Sequence, residues 1–86
     1  MAVIQEVRDI LPESAVVFDN YAYDKSIIGV TDDDRAVYDF DSMIEELVEE
    51  SGMTPEEAQE WIEYNTVRML PYIGGNAPVI MYRLEV

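Results

Sequence analysis

The fold is decided by residues 41–71, which read DSMIEELVEESGMTPEEAQEWIEYNTVRMLP. Ser42 with Glu45, and Thr54 with Glu57, match the S/T-x-x-E capping box, in which a hydroxyl and a carboxylate satisfy free backbone N–H groups at a helix start. Two helices are therefore expected, each beginning at one of these boxes.

Further signals bound the two helices. Gly52 lies where the first should end in a left-handed cap, Pro55 suits the first position of the second, and Pro71 is expected to end it. The apolar spacing predicts two buried stripes: Met43, Ile44, Leu47 and Val48 in the first helix, and Ala58, Trp61, Ile62, Asn65 and Met69 in the second. A buried Asn65 would need hydrogen bonds. We expect it to cap or brace a neighbouring loop, and ligand binding is the alternative.

Length and composition indicate one domain, residues 1–86. An apolar fraction of 49% argues against disorder. The chain contains no cysteine and no histidine, so it lacks a thiolate nucleophile, the commonest general base and the commonest metal ligand. We expect no cofactor, no bound metal and no enzymatic activity.

The formal net charge of −14 disfavours binding to nucleic acid or an anionic membrane and favours basic partners. The N-terminus shows no basic region followed by an apolar run, so no signal peptide is expected. No apolar stretch approaches the roughly 20 residues that span a bilayer. The expected location is the cytoplasm.

The remaining elements follow from apolar spacing and turn residues. Val3, Ile4, Val7, Ile10 and Leu11 form the stripe of a helix that Pro12 ends. Strands are expected at residues 15–18, 26–31, 35–39 and 79–84, the last covered on both faces or central in the sheet because its apolar run is nearly continuous. The order α-β-β-β-α-α-β predicts an α+β fold, with a mixed or antiparallel sheet of about four strands and three helices mainly on one face.

Two acidic groups invite a metal-binding interpretation. Asp32, Asp33 and Asp34 resemble a calcium loop, but an EF-hand would need glycine and glutamate where Val37 and Met43 stand, so a hairpin turn is favoured. The second group flanks predicted strands, where two carboxylates at a sheet end would bind magnesium or act as acid and base: Asp19, Asp24, Asp39 and Asp41. A metal-dependent hydrolase is the third-ranked hypothesis.

The acidic charge is concentrated in one segment. Residues 32–63 hold thirteen acidic residues and one basic residue, Arg35, for a net charge of −12. Glutamates four positions apart on the same helix repel each other by about 0.2–0.5 kcal/mol per pair. A field of one sign over two helices suits binding to a basic groove. The predicted partner-binding residues are Glu45, Glu46, Glu49, Glu50, Glu56, Glu57, Glu60 and Glu63.

Several short runs carry a resemblance: SIIGV at 26–30, AVYD at 36–39, EYNT at 63–66, LPYI at 70–73 and APVI at 77–80. Residues 15–82 resemble uncharacterised small acidic proteins borne by phages and prophages of Gram-positive bacteria. The resemblance implies an accessory protein that binds and modulates a host protein, and it assigns no residue a role.

The leading hypothesis is a non-enzymatic phage-derived protein whose acidic helices bind a basic host protein. Its sharpest form is a nucleic-acid mimic that occupies the groove of a nucleic-acid-binding host factor. The alternative is an oligomeric structural or assembly component of phage origin, in which the first helix or the tyrosines bury against another copy. That aromatic set is Tyr21, Tyr23, Tyr38, Tyr64, Tyr72 and Tyr82.

Overall fold

A computed structural model describes residues 4–84, with side chains for residues 7–20 and 22–84. The chain folds as a mixed α+β structure with a three-stranded sheet. Its elements are α1 (Ile4–Ile10), a first 3-10 helix (Tyr21–Ser26), β1 (Ile27–Val30), β2 (Ala36–Asp39), α2 (Phe40–Ser51), α3 (Pro55–Asn65), a second 3-10 helix (Val67–Met69), the single turn α4 (Leu70–Ile73) and β3 (Val79–Met81).

The junction between α2 and α3 forms as its sequence predicts. Gly52 follows α2 in the left-handed conformation, with φ at 70°, and its N–H donates to the Val48 carbonyl. At α3, the Glu57 N–H donates to the Thr54 hydroxyl at 3.1 Å, and the Thr54 N–H donates to the Glu57 carboxylate at 3.0 Å. Pro55 is the first residue of α3. The second capping box and the left-handed cap are therefore confirmed.

The other predicted ends of these helices are wrong. α2 begins at Phe40 and has Asp39 at its N-cap, so Ser42 lies inside the first turn and its hydroxyl donates to the Asp39 carboxylate at 3.2 Å. β2 ends where α2 begins, which leaves no loop for a cap at Ser42. α3 ends at Asn65, and Pro71 lies in the first turn of α4, where no backbone N–H is required.

The sheet has the order β1-β2-β3, with β1 antiparallel and β3 parallel to β2. The register of the β1–β2 pair shifts between Ile27 and Gly29, as at a β-bulge. β3 is an edge strand, and all three of its residues are half-buried, so the prediction of a central or fully covered strand is wrong. The nearly continuous apolar run gave no information on strand order.

The predicted strand at residues 15–18 does not form, so the sheet has three strands rather than four. These residues are half-buried irregular chain. The N–H of Phe18 donates to the Tyr38 hydroxyl at 3.0 Å, a side-chain substitute for a ladder hydrogen bond. Asn20 then caps the first 3-10 helix by accepting from the Ala22 N–H at 3.0 Å.

The core lies between one face of the sheet, α2, α3 and the first 3-10 helix. Ala36 and Tyr38 alternate with Val37 and Asp39 along β2, so they share the inward face. The buried cluster consists of Tyr23, Ala36, Tyr38, Phe40, Met43, Leu47, Ala58 and Ile62. In α1, Ile10 is 83% exposed, which contradicts its predicted place in a buried stripe, and Val3 lies outside the described residues.

Candidate protein-binding surface

The eight glutamates of α2 and α3, here called the acidic surface, are nearly all open to solvent. Seven are exposed, whereas Glu46 is half-buried with Lys25 Nζ at 3.8 Å from its carboxylate. Among the described side chains, none of the other seven forms an ion pair. Glu57 is engaged in the α3 capping box. The surface therefore carries negative charge that the described part of the chain scarcely neutralises.

On α2, the charge runs along one face. Asp41, Glu45 and Glu49 follow each other at intervals of four residues, so they lie one above another on the helix. The buried residues Met43 and Leu47 lie on the opposite side. α2 therefore presents a continuous row of carboxylates to solvent.

On α3, exposed aromatic side chains interrupt the acidic charge. Trp61 is 48% exposed and Tyr64 is 66% exposed, whereas Ala58 and Ile62 are fully buried. Met69, beyond the end of α3, is 52% exposed. Trp61 and Met69 therefore do not belong to the buried stripe to which the sequence assigned them.

The spacing of the exposed aromatic residues of α3 could have been recognised in the sequence. Glu57, Trp61, Tyr64 and Arg68 follow each other at intervals of four, three and four residues, which is a second helical stripe beside the one formed by Ala58 and Ile62. A helix that faces one core buries only one such stripe. The assignment of Trp61 to the core merged two adjacent stripes into one, whereas Asn65 continues the Ala58–Ile62 stripe but is exposed.

The exposed stripe borders a shallow open groove of about 920 Å³, here called the α3 groove. It is lined by Met53, Glu57, Glu60, Trp61, Glu63, Tyr64, Asn65 and Arg68. A second groove of about 540 Å³ shares Tyr64, Asn65 and Arg68 with it and reaches Met69 and Tyr72. The two grooves extend the surface from the α2–α3 junction to α4.

Arg68 lies where the two grooves meet, and its guanidinium carbon is 4.7 Å from the centre of the Tyr64 ring. This is a cation–π contact, favourable by about 0.5–1 kcal/mol at an exposed site. The positive charge of Arg68 thus already covers one face of the Tyr64 ring, next to the acidic surface.

Asn65 is exposed, and its side-chain amide donates to the Trp61 carbonyl at 3.1 Å. The prediction that Asn65 is buried and supports a neighbouring loop is therefore wrong. The bond is made within α3, four residues back, and it lies at the edge of the α3 groove.

The four aspartates at strand ends do not assemble a metal site. Asp24 is fully buried, and its two carboxylate oxygens accept from Arg8 Nε at 2.6 Å and Nη2 at 2.9 Å. The same Nη2 donates to the Phe18 carbonyl at 3.0 Å. Asp19 is exposed. A buried carboxylate paired with arginine in this way fixes structure and leaves little capacity for a cation.

Asp39 and Asp41 do converge, but on an arginine. Arg83 Nε and Nη2 donate to the same Asp39 oxygen at 3.0 and 2.5 Å, and Asp41 lies 3.7 Å from Arg83 Nε. The hydrogen bonds from Arg83 hold the pKa of Asp39 below its ordinary value, against the opposing effect of burial. Within the described residues, no three acidic side chains gather closely enough to hold a metal ion.

Asp32, Asp33 and Asp34 form a hairpin turn, as expected. The Asp34 N–H donates to the Thr31 carbonyl at 3.0 Å, and Asp34 adopts a left-handed conformation with φ at 67°. The Thr31 hydroxyl is hydrogen-bonded to Asp33. Aspartate tolerates this conformation because its short polar side chain bonds locally.

The tyrosines do not form one surface. Tyr23 and Tyr38 are buried, whereas Tyr64, Tyr72 and Tyr82 are exposed. The side chain of Tyr21 lies outside the described residues. Of the exposed three, Tyr64 and Tyr72 line the two grooves beside α3, and Tyr82 packs on Phe40 at a ring distance of 4.7 Å.

No protein-family model, no curated protein and no solved structure matches the chain. Among residues 4–84, no helix has both the length and the apolar character needed to cross a membrane. The function is therefore inferred from the surface of the chain itself.

Proposed function

We propose that the protein is a non-enzymatic accessory protein, of phage or prophage origin and acting in the cytoplasm, that binds and modulates a basic host protein through the acidic surface. A host factor whose nucleic-acid groove is basic is the sharpest form of this proposal. The observation that carries it is the run of exposed glutamates on α2 and α3, scarcely neutralised by described lysine or arginine side chains.

Charge alone would serve solubility, but the composition of α3 supports a binding role. Solvated charged surfaces do not need half-exposed tryptophan, and Trp61 and Tyr64 stand among the glutamates. Aromatic residues are enriched in protein–protein interfaces, while their polar surroundings form the rim. Carboxylates around such residues steer a basic partner to the surface and select against acidic ones.

The test is capture of host proteins from lysate at about 50 mM and about 500 mM salt, since screening lengths fall severalfold over this range. Glu60→Gln with Glu63→Gln removes two charges from α3, and Asp32→Asn with Asp34→Asn removes two from the hairpin turn. We expect basic proteins to be retained at low salt, released at high salt, and lost more in the α3 variant than in the turn variant.

Retention that ignores salt, or equal losses in the two variants, would contradict the proposal. Equal losses would indicate that only the total charge matters. Failure of both matched variants to alter capture would show that the acidic surface on α3 is not the contact.

The second candidate is an oligomeric structural component, which exposed apolar residues outside α3 favour. Ile10 is 83% exposed on α1, and Ile28 and Val30 of the edge strand β1 are 55% and 48% exposed. Light scattering over a wide concentration range tests this candidate, and a monomer at every concentration would exclude it.

A further inference from the structure

We propose that the α3 groove holds a basic amphipathic helix of the partner, with one apolar side chain inserted against Trp61 and Tyr64 and its lysines or arginines beside Glu57, Glu60 and Glu63. This inference rests on the proposed function and specifies how the basic partner is bound. It makes the aromatic residues, rather than the total charge, the main source of affinity.

The apolar half of the site is formed by Trp61, Tyr64 and Met53. Trp61 and Tyr64 are 48% and 66% exposed, so binding would remove a large aromatic area from water. Tryptophan and tyrosine are the residues most often found as energetic hot spots in interfaces. Met53, with its flexible thioether, adapts to partners of different shape.

The charged half decides which occupant fits. Glu57, Glu60 and Glu63 line the groove, and Glu60 and Glu63 are exposed with no ion pair among the described side chains. A second copy of the chain would bring its own net charge of −14 to this surface, so self-docking is opposed by repulsion. Basic residues on an amphipathic helix complement the same surface, and such helices bind in grooves through spaced apolar anchors.

Arg68 covers one face of the Tyr64 ring, against which the apolar side chain of the partner would be inserted. Its guanidinium carbon lies 4.7 Å from the centre of the Tyr64 ring, and Arg68 lines the same groove as the three glutamates. Insertion of the partner's apolar side chain against this face of Tyr64 must displace the Arg68 contact. Arg68 is therefore a built-in competitor, and its removal should strengthen binding.

The chain provides its own reporter, because Trp61 is its only tryptophan. The probe is a synthetic helix of about 18 residues, long enough to be helical, made of leucine and lysine with the leucines on one face. The control peptide has the same lysines and alanine in place of every leucine, so its charge and helical tendency are matched. Binding is measured by titration with the intact protein.

We expect the leucine peptide to bind at least about tenfold more tightly than the alanine peptide and to shift Trp61 emission to shorter wavelength. Tyr64→Ala should weaken binding of the leucine peptide about tenfold and leave binding of the alanine peptide unchanged. Leu84→Ala, at a site that is 91% exposed and outside the groove, should alter neither. Circular dichroism of Tyr64→Ala shows whether this variant is folded.

Arg68→Ala should tighten binding of the leucine peptide by about two- to fivefold, because the partner no longer has to displace one exposed cation–π contact. Lys25→Ala is the matched control, since it also removes one positive charge but lies at the other side of the acidic surface, beside Glu46. Equal effects of the two substitutions would show that Arg68 acts through charge alone, which would overturn its role as a competitor.

The failures of the two proposals are distinguishable. Equal binding of both peptides with unchanged Trp61 emission would overturn the proposed role of the α3 groove and leave the acidic surface as a purely electrostatic site. Absence of binding by either peptide would also overturn the groove, and salt-dependent capture of basic host proteins would then still support the proposed function. Loss of that capture as well would overturn both.

Discussion

Tyr38 connects the core to a segment that has no secondary structure of its own. Its side chain is fully buried, its ring lies 4.6 Å from the Phe18 ring, and its hydroxyl accepts the Phe18 N–H at 3.0 Å. Burial raises the pKa of Tyr38 to about 12, although the hydrogen bond from Phe18 opposes this effect. One phenol group therefore fixes residues 15–18 and also makes the fold sensitive to alkali.

Tyr38→Phe should lower the free energy of unfolding at pH 7 by about 1–2 kcal/mol, because it leaves the Phe18 N–H without its acceptor. A raised pKa stabilises the fold below the ordinary tyrosine value of about 10, and this stabilisation is lost as the pH rises toward the folded-state value. The difference in free energy of unfolding between wild type and Tyr38→Phe should therefore narrow between pH 10 and about pH 12. Urea unfolding at each pH measures it, and a constant gap would contradict the assignment.

Asp39 should give the opposite pH dependence. Its pKa is lowered chiefly by hydrogen bonds from Arg83, so its stabilisation is complete above the ordinary value of about 3.9 and is lost as the pH falls through the folded-state value. We expect Asp39→Asn to cost about 1–2 kcal/mol at pH 7, and the cost to shrink below about pH 4. Chemical denaturation at pH 7, 5 and 3 tests this, and an equal cost at pH 3 and 7 would count against the ion pair.

At the level of elements, α1 is attached to the rest of the molecule by an ion pair whose carboxylate is buried and whose guanidinium is partly exposed. Arg8 of α1 binds both oxygens of Asp24, which is fully buried in the first 3-10 helix. Arg8→Ala would leave that carboxylate buried without its guanidinium partner, at a cost of about 3–5 kcal/mol. In a chain of this size, that is a large share of a total stability of about 5–15 kcal/mol.

The double variant Arg8→Met with Asp24→Leu should be more stable than Arg8→Ala, because no unpaired charge remains buried. Thermal unfolding of wild type, Arg8→Ala and the double variant measures both effects. A double variant that is less stable than Arg8→Ala would contradict this prediction, because it would show that the unpaired Asp24 carboxylate is not the main source of the loss.

The sequence predicts the junction between α2 and α3 because the signals that end one helix and start the next are local. The Gly52 cap and the Thr54 capping box each depend on residues within a few positions. The strand predicted at residues 15–18 failed for the converse reason, since the acceptor that replaces its ladder bond is Tyr38, 20 positions away. Propensity favours a strand in this run, and a distant hydroxyl overrides it.

The candidate binding surface is predictable from the sequence in its charge and not in its aromatic part. The eight glutamates are apparent from composition and spacing, and seven are exposed. Trp61 was assigned to the core because hydrophobic residues are expected inside, whereas α3 has only one face toward the core, formed by Ala58 and Ile62. Which of two adjacent stripes faces inward depends on how the helix docks, and that is decided by tertiary packing.

At the scale of the whole molecule, the net charge of −14 opposes compaction. Relief of the Glu45–Glu49 repulsion by changing both to glutamine should add about 0.2–0.5 kcal/mol, which raises the melting temperature of a chain this size by about 1–4 °C. The gain should vanish at about 1 M salt, where screening is nearly complete. Calorimetry at both salt concentrations measures it, and an equal gain at high salt would indicate a propensity effect instead.

The parallel pairing of β3 with β2 has a kinetic consequence. Beside this pair, Arg35 donates to the Ala77 carbonyl at 2.8 Å across 42 positions of chain, whereas the β1–β2 hairpin needs only a short turn. A hairpin closes in about 1–10 μs, but a contact of such long range gains nothing until the entropy of closing the loop has been overcome. In stopped-flow refolding we therefore expect the overall folding rate to be far slower than hairpin closure. The reason is that β3, the last strand in the chain, must pair with β2, the middle strand of the sheet.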